Sequence, residues 1–111
     1  MIDLLDETML DELRDIMEDE FPSLLATFLA ESERQYMQVR QAQSAGNFDE
    51  LRRAAHALKG SCGNVGALSL HETCAELEYK AKESDPEGME DLVVMTGQQL
   101  AEVSEAVRAL C

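Results

Sequence analysis

The stretch NFDELRRAAHALKGSC, residues 47–62, places apolar or small side chains at Leu51, Ala54, Ala55, Leu58 and Cys62. At about 100° per residue these five fall within one arc, so the segment is predicted to be a helix with a single face turned to a core. Asn47, with Glu50 three residues later, has the capping-box arrangement with Asn in place of Ser or Thr, which sets the helix at about 48–62. No segment of the chain alternates apolar and polar residues with period two. The fold is therefore read as all-α.

The same spacing continues in both directions. Upstream, Asp6 is placed to cap a helix over about 6–19 with Met9, Leu10, Leu13, Ile16 and Met17 on its inner face. Pro22 suits the first turn of a second helix that runs through Leu24, Leu25, Phe28, Leu29, Ser32, Tyr36, Val39 and Gln43 and ends at Gly46. Downstream, a short loop is predicted at Gly63 to Gly66. Ser69 and Glu72 then repeat the capping-box spacing for a fourth helix carried by Leu70, Cys74, Leu77 and Ala81 and ending near Ser84. Asp85-Pro86 opens a last helix with Met89, Leu92, Val93, Met95, Leu100, Val103, Val107 and Leu110 at helical intervals and Gly97 as a mild weakness. Short connections make neighbours antiparallel. The expected architecture is an antiparallel up-down four-helix bundle with an additional short N-terminal helix, forming a single domain over residues 1–111.

Composition narrows the function. Aromatics make up only 5% of the 111 residues and Trp is absent, so the core must be aliphatic and small, which favours helices. The net charge of -14, from 23 acidic against 9 basic residues, repels nucleic acid and anionic membranes and points to a protein partner. The opening MIDLLDETML carries acids where a signal peptide has Lys or Arg, and no apolar run approaches the roughly 18 residues of a membrane span; a cytoplasmic location is expected. Cys62, Cys74 and Cys111 form no CxxC pair and read as reduced thiols. A zinc site from Cys62, His71 and Cys74 can be drawn, but its spacing fits no standard pattern, and HETCA at His71 lacks the second His of HExxH because Ala75 stands there. Neither GxGxxG nor GxxxxGK[ST] occurs, so the chain is not expected to use ATP as an enzyme of its own.

His56 lies outside the apolar arc of its helix, about 140° from Leu51, with Arg52 one turn before it, Lys59 and Gly60 one turn after, and Gly63 two turns after. The imidazole is predicted to face solvent and to be bare on one side. Gly60 costs the helix roughly 1 kcal/mol relative to Ala. Two explanations stand: open access to His56, or fraying of a helix end by Gly60 and Gly63. From Leu51 to His71 the chain runs for 21 residues without an Asp or Glu, and Arg52, Arg53 and Lys59 sit in that gap. A positive island around a nucleophilic imidazole suits an anionic phosphoryl group; the plainer alternative is a solvated basic face. Ser61 and Cys62 lie on other sides of the helix, which argues against a Ser-His or Cys-His pair.

The string His56-Ala57-Leu58-Lys59-Gly60-Ser61, followed by Gly66-Ala67, resembles the signature of histidine-containing phosphotransfer (HPt) domains of multistep two-component signalling. The resemblance extends over nearly the whole chain and includes FPSLLATFLAES and CAELE. It implies that His56 takes a phosphoryl group from a receiver-domain phospho-aspartate and relays it to another receiver, with Lys59 balancing charge on the phosphoryl oxygens. It also implies that Gly60 permits close approach and Gly66 serves a tight turn. The partners implied are receivers of a hybrid sensor kinase and of a response regulator. Magnesium is expected in the receiver, with no cofactor or metal on this chain, which is taken as a monomer. Where the family often has glutamine, 22 residues after the histidine, this chain has Glu78, expected to accept the Nδ1 hydrogen and fix the tautomer. Arg52, Arg53, Gly60, Gly63, Asn64 and Ala67 are the expected docking residues. A helical adaptor that binds receivers without being phosphorylated is the alternative.

Overall fold

The computed structural model describes residues 4–111. Met1 to Asp3, the start of the MIDLLDETML stretch, lie outside them. The helices are α1 (Glu7–Met17), α2 (Phe21–Ala45), α3 (Phe48–Asn64), α4 (Leu68–Lys82) and α5 (Met89–Arg108), with one turn of 3-10 helix at Glu18–Glu20. The last four pack side by side in a ring, α2 on α3, α3 on α4, α4 on α5 and α5 on α2. The all-helical bundle with a short leading helix is therefore as expected.

Local chemistry explains most of the boundaries. The Asp6 carboxylate accepts from the Met9 amide at 3.1 Å, and the Asn47 side chain accepts from the Glu50 amide at 3.1 Å. Each satisfies one of the free donors at a helix start. Pro22 sits in the first turn of α2, and Gly46 ends that helix at φ +67. Gly66, at φ +69, turns the chain from α3 to α4, and its carbonyl accepts from the Asp6 amide at 2.8 Å. The start of α1 is thus tied to the α3–α4 turn.

Four expectations change. The Ser69/Glu72 capping box does not form: α4 starts at Leu68 behind Ala67, and the Ser69 hydroxyl is buried inside the helix with no hydrogen-bond partner. The left-handed Gly66 turn has already set the helix start. The last helix opens at Met89 rather than at Asp85-Pro86, because the Asp85 carboxylate accepts from the Glu87 amide and from Lys80 Nζ, closing a separate turn that ends at the left-handed Gly88. The third helix continues through Gly63 to Asn64, so the loop before α4 is shorter than expected. Ile16, assigned to the inner face of the first helix, is 79% exposed; of α1 only Leu10 is buried.

The core has two halves. Leu5, Leu10, Phe21, Leu25, Phe28, Leu58, Cys62, Leu70, Cys74, Leu100, Val103 and Val107 belong to the half closed off by α1. Val39, Leu51, Ala54, Ala55, Leu77, Ala81, Met89, Leu92 and Val93 belong to the other. Between them α2 and α5 carry the buried polar residues Ser32, Gln35 and Thr96. Ser61 donates to Gln35 at 2.7 Å, Thr96 donates to the Leu92 carbonyl at 2.7 Å, and the Tyr36 hydroxyl donates to the Val93 carbonyl at 3.0 Å. Gly97 has a packing role: a β-carbon there would overlap the Tyr36 hydroxyl. A β-carbon at Gly60 would meet nothing within 4 Å.

The same substitution in two helices should therefore have opposite signs. Gly60→Ala is expected to stabilise the fold by about 1 kcal/mol through helix propensity. Gly97→Ala should destabilise it by about 1–2 kcal/mol through overpacking against Tyr36. Urea unfolding midpoints at equal m-value measure both.

Candidate functional site

The inner face of α3, with Leu51, Ala54, Ala55, Leu58 and Cys62 all buried, fixes which side of the helix meets solvent. His56 is on that outer side, its side chain 67% exposed. Its Nδ1 lies 2.9 Å from Oε2 of Glu78 on α4. Leu77, adjacent to Glu78, is fully buried and anchors this part of α4. In the neutral tautomer that donates from Nδ1 to this carboxylate, the lone pair lies on Nε2.

Glu78 is shared. Lys59 Nζ lies 2.7 Å from Glu78 Oε1, an ion pair whose approach is off the hydrogen-bonding direction, since Oε1 has no well-directed donor. The Glu78 side chain is only 21% exposed and that of Lys59 27%. Burial by itself pushes the Glu78 carboxyl upward, but the contacts with Lys59 and His56 outweigh it and hold the carboxyl below its ordinary value.

Folding redraws the positive island. Arg52 pairs with Asp49 at 3.2 Å, and Arg53 pairs with Asp49 at 3.2 Å and Glu50 at 3.6 Å. Each of the three cations in the acid-free stretch thus has a carboxylate partner, two of them supplied by the first turn of α3 and one by α4. The arginine pairs are solvent-exposed and worth at most about 1 kcal/mol each, so a charged partner can displace them. Asp49 was missed as a site residue, although its i,i+3 and i,i+4 spacing to the arginines was there to be read.

The remaining expected residues divide. Gly60 and Asn64 are exposed on α3, about one and two turns beyond His56. Gly63 is partly covered, with His71 Cδ2 3.6 Å from where its β-carbon would be. Ala67 is 0% exposed and cannot contribute a side-chain contact to a docking partner; the Gly66 turn rotates it into the core against the α1 end of the bundle. Ser61 bonds to Gln35 on α2, away from His56. Cys62 and Cys74 are free and buried, and hydrogen bonding to Cys74 together with burial pushes the Cys62 thiol far above the usual range, which makes it a poor nucleophile. Among the described residues no group of three His, Cys, Asp or Glu side chains is arranged to hold a metal ion, and no helix is long and apolar enough to cross a membrane.

Residues 23–110 match the family model of the Hpt domain. The chain belongs to the Hpt family. Among solved structures it is similar to histidine-containing phosphotransfer protein B (HptB) from Pseudomonas aeruginosa PAO1, at 33% identity and a TM-score of 0.93, over 98% of this chain and 95% of that one. A candidate histidine-containing phosphotransfer protein from rice shares the fold at 20% identity and a TM-score of 0.82, over 95% of this chain and 79% of that one. No curated protein sequence matches. This Hpt protein is accordingly a histidine phosphotransfer protein of phosphorelays, a family of phosphocarriers rather than kinases.

The depressed Glu78 carboxyl has a pH consequence. A carboxyl lowered in the folded state adds stability that is fully present above its ordinary value of 4.5 and is lost as pH falls through the lower folded value. Glu78→Gln is expected to lower stability by up to about 1 kcal/mol at pH 7. The difference from wild type should close as pH falls below that ordinary value, as read by urea denaturation across the acid range.

Proposed function

We propose that His56 of this Hpt protein is the residue that carries the phosphoryl group, taking it from the phospho-aspartate of one receiver domain and delivering it to the aspartate of another. The observation that carries this reading is the exposed imidazole whose Nδ1 is held by Glu78 at 2.9 Å, leaving Nε2 free on the open side of α3. The Nε2 lone pair attacks phosphorus in line, and the P–O bond to aspartate breaks with its electron pair returning to the carboxylate. Lys59, already beside the site, is positioned to balance charge on the phosphoryl oxygens. The open space at Gly60 gives the receiver room beside the imidazole. Magnesium would be supplied by the receiver, and a hybrid sensor kinase and a response regulator are the partners that such a relay connects.

Arg52, Arg53, Gly60 and Asn64 form the docking ring in this reading, with Gly63 at its edge. The arginines meet the receiver by exchanging Asp49 and Glu50 for its acidic groups. That exchange makes recognition sensitive to salt.

Labelled phosphate offered on a phosphorylated receiver is expected to appear on the wild-type protein in acid-labile form and not on His56→Gln. Receiver binding with no label on either protein would instead identify a docking adaptor. An Arg52→Glu/Arg53→Glu double variant is expected to bind receivers about tenfold or more weakly at low ionic strength, with the difference shrinking as salt is added. Titration of receiver into each protein measures it.

A further inference from the structure

Among the described residues Asp49 is the one carboxylate in contact with two arginines. Its Oδ1 lies 3.2 Å from Arg52 and its Oδ2 lies 3.2 Å from Arg53. Arg53 also turns its other terminal nitrogen to Glu50, at 3.6 Å. The pairs of Arg14 with Asp11 and of Arg34 with Glu31 are one to one. Nothing in the start of α3 calls for the double contact. Asn47 already caps the helix, and Glu50 alone would place an anion in its first turn.

Position 49 shares the outer face of α3 with His56. Seven residues are close to two full turns, so the two side chains lie about 10 Å apart along the helix axis. Asp49 and Arg53 are exposed, and Arg52 is half-buried between them and His56 in the sequence. The groove beside Arg53 and Glu50 is lined from α2 by Gln38, Gln41, Ala42 and Ala45, none of them charged. The competition for the arginines is therefore confined to Asp49, Glu50 and whatever acid a partner brings.

We infer that Asp49 selects among receivers by competing with them for Arg52 and Arg53, admitting one that offers carboxylates to both arginines at once and disfavouring one that reaches a single arginine. The inference rests on the reading that these arginines dock the receiver. A carboxylate that takes one arginine replaces one ion pair by another and gains little. Asp49 stays beside the second arginine, only partly rehydrated, and competes to recover the first. Two carboxylates arriving together release Asp49 to water, and its hydration is regained in full. Without the Asp49 charge, a single carboxylate would form a new pair outright, and a poorly matched receiver would be held as well. Selectivity here comes from an opposing group on the protein itself as much as from the attractive one.

The test uses the whole protein with two probes: a receiver domain that delivers label to His56 and one that delivers none. Asp49→Asn keeps the shape of the side chain and removes its charge. It is expected to bind the delivering receiver about threefold to tenfold more tightly at low ionic strength. Its gain toward the other receiver should be larger, so that the ratio of the two affinities narrows. In an Arg52→Gln/Arg53→Gln background, Asp49→Asn should change affinity no more than Glu33→Gln does, Glu33 being an exposed carboxylate of α2. Circular dichroism confirms that each variant is folded. A gain of the same size with and without the arginines is general relief of like charge and overturns the inference. An unchanged affinity ratio overturns it too, and both results leave His56 as the carrier. Undiminished binding by Arg52→Gln/Arg53→Gln removes the docking reading itself, and the inference with it. Should no receiver deliver label, the carrier reading and the inference fall together.

Discussion

Leu51, Ala54, Ala55, Leu58 and Cys62 form the buried face of α3, and the closure of that face against α4 is the constraint on which the candidate site depends. A helix has one rotation that hides five side chains at this spacing, and that rotation puts position 56 outward. Burial of Leu58 and Leu77, each worth about 1.5–3 kcal/mol, greatly exceeds what the exposed ion pairs around His56 can supply. The core thus dictates the site's geometry, and the polar groups above it are free to serve chemistry. Glu78 shows the division of labour: its neighbour Leu77 is fixed in the core, and the carboxylate is carried to the imidazole as a result.

Charge in the linear sequence and charge in the folded molecule differ here for a simple geometric reason. The acid-free run begins immediately after Glu50, yet one turn of helix brings Asp49 and Glu50 alongside Arg52 and Arg53. A third carboxylate, Glu78, arrives from α4, 22 residues after His56. The surface near His56 is therefore a set of exchangeable pairs rather than an unopposed cationic patch. In a protein of net charge -14 such pairing keeps the arginines folded down until a better acidic partner is offered.

Much of this was legible in the sequence because it followed from spacing along one helix. The faces of the helices, the Asn47 and Asp6 caps, the Gly46 stop and the outward placement of His56 all arise from residues within a turn or two of one another. What escaped notice depends on contacts between distant segments. Ser69 and Glu72 have capping-box spacing, but Gly66, tied to Asp6 on the far side of the chain, starts α4 earlier. Ala67 follows the signature string and looks available, yet the same turn folds it inward. Ile16 fits the apolar stripe of α1, but a short peripheral helix covers the bundle end with little more than Leu10. Gly97 reads as a weakness within α5, and its use is visible only once Tyr36, on another helix, is beside it.

The polar layer between the two halves of the core bears on a different property, the uniqueness of helix alignment. Aliphatic helices packed face to face can slip along their axes by a turn, about 5.4 Å, with little loss, since one leucine replaces another. Here a slip would strip Ser61 and Gln35 of each other and the Tyr36 hydroxyl of the Val93 carbonyl, at about 1–3 kcal/mol for each polar group left unpaired. The layer behaves like the teeth of a ratchet: it admits one axial setting of α3 against α2. With α3 so pinned, the height of His56 along α2 is set by the same contact.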